Sequence, residues 1–219
     1  MAKITAFIFD LDGVITDTAE YHYLAWKQLA DEEHIAFTRQ DNDQLRGVSR
    51  RESLNRMLKG HPIDETTAQA WMERKNNYYL QHLKSITPND CLPGIKSFLA
   101  DARAAGLKIA VGSASKNAYE VLTRLEIIDL FEAVGDGYVV KNSKPAPDLF
   151  VWVAGRLGVH TEEAVVFEDA EAGVEAALNG GFHVVGIGHA DVTRAHLVLR
   201  EGLAQITAQD ILTQLQRAT

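Results

Sequence analysis

The chain has 219 residues, with 22 Lys and Arg against 30 Asp and Glu and a formal net charge of −8. A hydrophobic share of 46% and a charged share of 24% describe an ordinary globular protein of one large or two unequal domains. The acidic surplus argues against nucleic acid and anionic membrane as partners, and the single cysteine, Cys91, excludes an internal disulfide scaffold.

Residues 4–9 (ITAFIF) read as a buried strand. The run is too short to span a membrane and lacks the small-residue cleavage region of a signal peptide, so a cytoplasmic protein is expected. It leads into Asp10-Leu11-Asp12-Gly13. Residues two apart on an extended strand project to the same side, so Asp10 and Asp12 are expected to face one crevice. Alone, the pair is equally compatible with a solvated turn.

From about 16 to 88 the pattern is helical, with helices expected over 17–33, 41–46, 50–59 and 64–84. Asp17 and Glu20 form a plausible capping pair for the first, and Pro62 and Pro88 punctuate the block. An insert of this kind after a first strand reads as a helical cap (16–89) on a core made of 1–15 and 90–219. Two linkers, near 13–17 and 86–94, would let it act as a hinged lid.

After the cap, strands at 107–111, 164–167 and 183–187 alternate with helices at 94–105, 117–125, 147–157 and 170–178. This is the pattern of a doubly wound, Rossmann-like α/β core, whose ligands bind at the carboxyl ends of the strands.

Three more segments fall at such ends. Val111-Gly112-Ser113-Ala114-Ser115-Lys116-Asn117 is a small, hydroxyl-rich loop opening a helix, suited to an anion. Ser143-Lys144-Pro145-Ala146-Pro147-Asp148 holds a lysine between stiff turns, and Phe167-Glu168-Asp169-Ala170 ends a strand in adjacent acids. Each is weak alone, since serine turns, solvated lysines and capping acids are common. Together they place four carboxylates, a hydroxyl loop and a lysine around one crevice. Hard oxygen ligands in this number suit Mg²⁺. Asp10 can then attack phosphorus as a carboxylate nucleophile, Asp12 can move protons, and Mg²⁺ with Lys144 can offset charge on the transferring phosphoryl group.

These motifs, in this order with a helical insert after the first, resemble the haloacid dehalogenase superfamily of phosphotransferases. The segments at 12–30, 45–54, 112–118 and 142–148 further resemble its β-phosphoglucomutase family, and the likeness spans about 10–178. The resemblance implies that Asp10 is the phosphorylated nucleophile and that Asp12 is the general acid/base, lending its backbone carbonyl to the metal. It makes Glu168 and Asp169 the remaining metal-side carboxylates. Ser113, Ala114 and Lys144 would cradle the transferring phosphoryl group, and Arg50, Ser115, Lys116 and Asn117 would clamp a distal phosphate. In the cap, it assigns His22, Trp26, Gly47, Val48, Ser53 and Lys75 to sugar recognition or closure, with Thr18 at the hinge. Arg46 stands where the family can carry lysine, and Ala170 where a serine is frequent.

The resemblance implies interconversion of β-glucose 1-phosphate and glucose 6-phosphate through a bisphosphate. A moving cap sits poorly under a large interface, so a monomer is expected. A Mg²⁺-dependent sugar-phosphate phosphatase of the same fold shares every core motif. A non-catalytic sugar-phosphate-binding protein is the alternative of another class, and its expected signature, loss of Asp10 or Asp12, is missing.

Overall fold

Strand β1 (Ala6–Phe9) is buried on both sides. In the computed structural model, which describes residues 2–188 and 192–218, Phe7 and Phe9 point into one apolar cluster with Phe98 and Phe167. Ala6 and Ile8 point into a second with Phe150 and Val153. A strand covered on both faces needs apolar residues at every position, which is why this segment shows no alternation.

Four helices follow: α1 (Ala19–Glu32), α2 (Arg39–Asp43), α3 (Arg50–Met57) and α4 (Glu65–Leu83). They enclose their own apolar cluster, built on Trp26, Leu29, Phe37, Leu54 and Met57. The chain then alternates: α5 (Ile95–Ala104), β2 (Lys108–Gly112), α6 (Ala118–Arg124), β3 (Ala133–Gly135), α7 (Asp148–Leu157) and β4 (Ala164–Glu168). It ends with α8 (Glu171–Asn179), β5 (His183–Ile187), β6 (Leu197–Leu199) and α9 (Ala208–Ala218).

The six strands form one sheet in the order β3-β2-β1-β4-β5-β6, with every pairing parallel. The order reverses direction at β1, between β2 and β4, and this switch point is where a doubly wound sheet opens a crevice. The carboxyl ends of these three strands carry Asp10, Ser113 and the Glu168-Asp169 pair. The expected α/β core with its helical insert is therefore what the chain adopts.

Several local expectations need correction. The first helix has Thr18 at its N-cap with no side-chain cap bond; Asp17 Oδ1 accepts from Ala19 N at 2.9 Å just before it, while Glu20 turns outward to Arg39. Helix α2 begins at Arg39, because Thr38 and Asp41 form a reciprocal capping box that starts it early. Strands β3 and β6 and helix α9 were not anticipated. At three residues each, the two strands are too short to show a period.

Candidate active site

The chain leaves β1 at Phe9, and Asp10 continues the sheet by donating its N–H to Phe167 O at 2.9 Å. It then folds back: Gly13 N donates to Thr16 O, and Ile15 N to Leu11 O. Asp10 and Asp12 both line the cleft, as their spacing implied, while Leu11 between them packs into the core cluster with Phe7 and Phe9. Gly13 takes φ +81°, and a Cβ there would overlap the Asp169 carboxylate. Only glycine permits both the left-handed turn and that close approach.

Beneath the carboxylates lies a rigid floor. Phe9 and Phe167, the residues just before Asp10 and Glu168, stack with centroids 4.7 Å apart and planes 14° from parallel. Burying such rings contributes roughly 1.5–3 kcal/mol each, so the strand tips bearing the acids are well anchored.

Lys144 arrives from the loop before α7 and is fully buried. Its Nζ donates to Asp10 Oδ1 at 2.5 Å and to Glu168 Oε1 at 2.6 Å. Burial opposes the Lys144 charge, but Asp10 and Glu168 outweigh it and raise its pKa. The other Glu168 oxygen accepts from Ala170 N at 2.8 Å. Each Glu168 oxygen therefore accepts one hydrogen bond, and the carboxylate steadies Lys144 beside Asp10. The Ala170 substitution costs nothing at this bond, since the backbone N–H makes it.

Four acids share this site with one buried ammonium. Burial raises the Asp10 carboxyl well above its usual range, Lys144 opposes the shift, and Glu168, Asp12 and Asp169 add to it. Asp169 is pushed up to about 7 by burial and Glu168, against Arg46. Burial also raises Asp12, although the hydrogen bond from Thr18 Oγ1 opposes this. A divalent cation fits this donor set: Lys144 and Arg46 pair with the four acids but do not match them in number, and the Asp169 carboxylate lies in the space a Cβ of Gly13 would fill. Among the described residues, no three metal-binding side chains are already gathered around a point. The set thus suits a cation taking few protein ligands and completing its shell with water and phosphate oxygen.

The cap closes over this floor, leaving a cleft lined by Asp10, Asp12 and Asp169 from the core. His22, Trp26, Arg46, Gly47, Val48, Arg50, Ser53 and Lys75 line it from the cap, and Ser113, Ala114, Ser115 and Lys116 from the loop after β2. Thr18 lies buried behind Asp12, and its hydroxyl also accepts from Tyr79 Oη at 3.3 Å. Lys75 Nζ donates to His22 Nδ1 at 2.8 Å and sits 5.0 Å from the Trp26 ring centre. Burial, then the neighbouring cations, depresses the pKa of His22 and of Lys75 well below their usual values. Arg46 crosses from cap to core and donates to Asp169 Oδ2 at 2.6 Å. Gly47 (φ +71°) lets the cap backbone approach α8, since a Cβ there would come 2.9 Å from Ala170 Cβ.

The loop after β2 is self-braced. Ser115 N donates to Ser113 Oγ at 3.1 Å, and Asn117 N to Ser115 Oγ at 3.2 Å. Asn117 is not in the wall of the main cleft. Its side chain instead donates to Asn76 Oδ1 on α4 at 3.0 Å, and Arg50 donates to that same oxygen at 2.8 Å. Sequence reasoning missed Asn76, and it also missed Asp17, Asn42 and Leu45 in the cleft wall. Adjacency to Lys75 was the sole local signal for Asn76.

Known proteins share this arrangement. The family model for haloacid dehalogenase-like hydrolases matches residues 4–181. The chain is 44% identical to a β-phosphoglucomutase of Bacillus subtilis over 90% of its own length and 89% of that protein's. It is 30% identical to a phosphorylated carbohydrates phosphatase of Thermotoga maritima, covering 96% and 98%. The crystal structure of β-phosphoglucomutase from Clostridium difficile superposes with a TM-score of 0.93 at 41% identity, covering 98% of both chains. Sequence, fold and the acids at the sheet's switch point agree, and the chain belongs to the haloacid dehalogenase-like hydrolase family, within its β-phosphoglucomutase branch.

Proposed function

We propose that this protein interconverts β-D-glucose 1-phosphate and D-glucose 6-phosphate through an aspartyl-phosphate on Asp10 and bound β-glucose 1,6-bisphosphate, which makes it an isomerase. One observation carries the reading: two separate sets of phosphate-ready donors serve one cleft. Lys144, Ser113 and Ala114 surround Asp10, while Arg50, Lys116 and Asn117 gather where the cap meets the core. A mutase needs both, because its intermediate carries two phosphates. The relatives named β-phosphoglucomutase support the same reading.

In the first step phospho-Asp10 gives its phosphoryl group to a sugar hydroxyl. The acyl–phosphate bond breaks, a sugar–phosphate bond forms, and the hydroxyl proton passes to Asp12. The bisphosphate then turns about, and its other phosphate returns to Asp10 while Asp12 gives the proton to the sugar oxygen left behind. Lys144, the Ser113 hydroxyl and the backbone around Ala114 donate to the phosphoryl oxygens. Asp10, Glu168, Asp169 and the Asp12 carbonyl would hold the divalent cation, which we take to be Mg²⁺, and when bound it supplies positive charge to those oxygens.

Water must be kept from phospho-Asp10. Thr18 holds the Asp12 carboxyl by a hydrogen bond. Closure of a lid comprising residues 16–89 onto a sugar would free Asp12 for proton transfer, with His22, Trp26, Val48, Ser53 and Lys75 reading the sugar. A moving lid of this kind fits a monomer. Among the described residues no helix is long and apolar enough to cross a membrane, and we place the protein in the cytoplasm.

The phosphatase reading is favoured by the Thermotoga maritima relative, named for that activity. It differs only in the acceptor, water instead of sugar. Incubation with β-glucose 1-phosphate, Mg²⁺ and a priming bisphosphate separates the two. Glucose 6-phosphate as the main product supports the mutase, whereas inorganic phosphate without glucose 6-phosphate defeats it. A binding protein without catalysis is disfavoured by the intact, cleft-facing Asp10 and Asp12.

A further inference from the structure

Asn76, on the cap helix α4, holds together two groups from different parts of the chain. Its Oδ1 accepts from Arg50 Nη2 at 2.8 Å and from Asn117 Nδ2 at 3.0 Å. Arg50 begins the cap helix α3, and Asn117 precedes the core helix α6. The chemistry of the partners fixes both amides. A guanidinium has donors only, so the atom of Asn76 facing it must be the carbonyl oxygen. Asn117 must then present its NH₂ to that same oxygen.

We infer that Asn76 is a positioning residue for the distal-phosphate clamp, aligning Arg50 and Asn117 before the ligand arrives. A phosphate accepts hydrogen bonds and donates none that matter here, so the clamp must point N–H groups at it. Arg50 has five such hydrogens and the Asn117 amide has two. Asn76 takes one from each and thereby sets the plane in which the others lie.

The neutrality of Asn76 also counts. Burial already weighs against the Arg50 charge, and a carboxylate at position 76 would neutralise it. A neutral carbonyl holds the guanidinium in place and leaves its full charge for the phosphate. Because the bridge joins cap to core, the same contact sets how the two halves of the clamp meet.

The inference rests on the mutase reading for the identity of the distal phosphate. Its test compares β-glucose 1-phosphate, which accepts the phosphoryl group of phospho-Asp10, with acetyl phosphate, which donates one to Asp10, on the wild-type, Asn76→Ala and Asn76→Asp proteins. β-Glucose 1-phosphate must place its phosphate in the clamp, whereas acetyl phosphate, which gives its phosphoryl group to Asp10 and leaves as acetate, has no distal phosphate. Asn76→Ala is expected to raise KM for β-glucose 1-phosphate at least tenfold, with kcat changed less than threefold. Phosphorylation of Asp10 by acetyl phosphate should stay within twofold. Asn76→Asp keeps both hydrogen bonds but adds a charge, and should raise KM at least as much. An unchanged KM in both variants, or a parallel fall in the acetyl phosphate rate, would overturn the inference. A wild-type protein that only released inorganic phosphate would instead sink the mutase reading. Comparing a sugar bisphosphate with acetyl phosphate would then decide the role of Asn76 by the same contrast.

Discussion

The guanidinium of Arg46 reaches across the cleft from the cap and donates a 2.6 Å hydrogen bond to the Asp169 carboxylate. Asp169 is also a carboxylate assigned here to the divalent cation, so arginine and metal compete for the same charge. The Arg46 side chain is 40% exposed, and solvent screening limits such a contact to about 1 kcal/mol or less. Arg46→Ala should therefore tighten Mg²⁺ binding by roughly threefold to fivefold. Calorimetric titration of the sugar-free protein measures this, and an unchanged or weaker affinity would show that the pair does not oppose the metal.

Lys144 bonds to both Asp10 and Glu168 and has no exposed surface. Its removal strands two buried carboxylates, a change that costs about 3–5 kcal/mol in comparable pairs. Lys144→Ala should lower stability on that scale in urea titrations. It should also slow phosphorylation of Asp10 by roughly 100- to 1000-fold, as loss of a preorganised charge donor does. A variant with wild-type stability and rate would remove Lys144 from both roles.

The Phe9–Phe167 stack supports the tips of β1 and β4. Phe9→Ala would leave a cavity where the ring sat and should cost about 3–5 kcal/mol of unfolding free energy. Activity at temperatures where the variant stays folded should also fall, since Asp10 follows directly. A loss below 1 kcal/mol would mean the floor is softer than its packing implies.

His22 is half-buried beside Lys75 and Arg50, with the Tyr79 ring 4.2 Å away. Its folded pKa is depressed, so below the usual 6.5 the unfolded chain binds a proton that the folded protein refuses. Its contribution to stability is therefore complete above about pH 6.5 and is lost as the pH falls from there towards the depressed value. His22→Gln should flatten that part of the stability profile in urea melts between pH 5 and 8. Equal acid sensitivity in both proteins would show that His22 is not the group responsible.

The core was legible because its signals are local. The AFIF of β1 is apolar throughout since both faces of the strand are covered, and the insert announced itself as a long helical stretch after a single strand. The chemistry-bearing residues at strand ends were legible for the same reason: Asp10, Ser113, Glu168 and Asp169 directly follow or end apolar runs. What escaped was non-local or too short. The Arg46–Asp169 contact joins residues 123 apart, and Asn117–Asn76 joins residues 41 apart, separations that no periodicity encodes. The occupation of both Glu168 oxygens depends likewise on where Lys144 arrives in three dimensions.

The central claim, phosphoryl transfer through Asp10 to a sugar, is tested most directly by following both products in one reaction. With β-glucose 1-phosphate, Mg²⁺ and a trace of bisphosphate, the wild-type protein should form glucose 6-phosphate with inorganic phosphate as a minor product. Asp10→Asn, which cannot form the acyl phosphate, should lose at least 1000-fold of that turnover, in keeping with loss of a covalent nucleophile. Turnover by Asp10→Asn at the wild-type rate, or inorganic phosphate as the wild-type protein's main product, would contradict it.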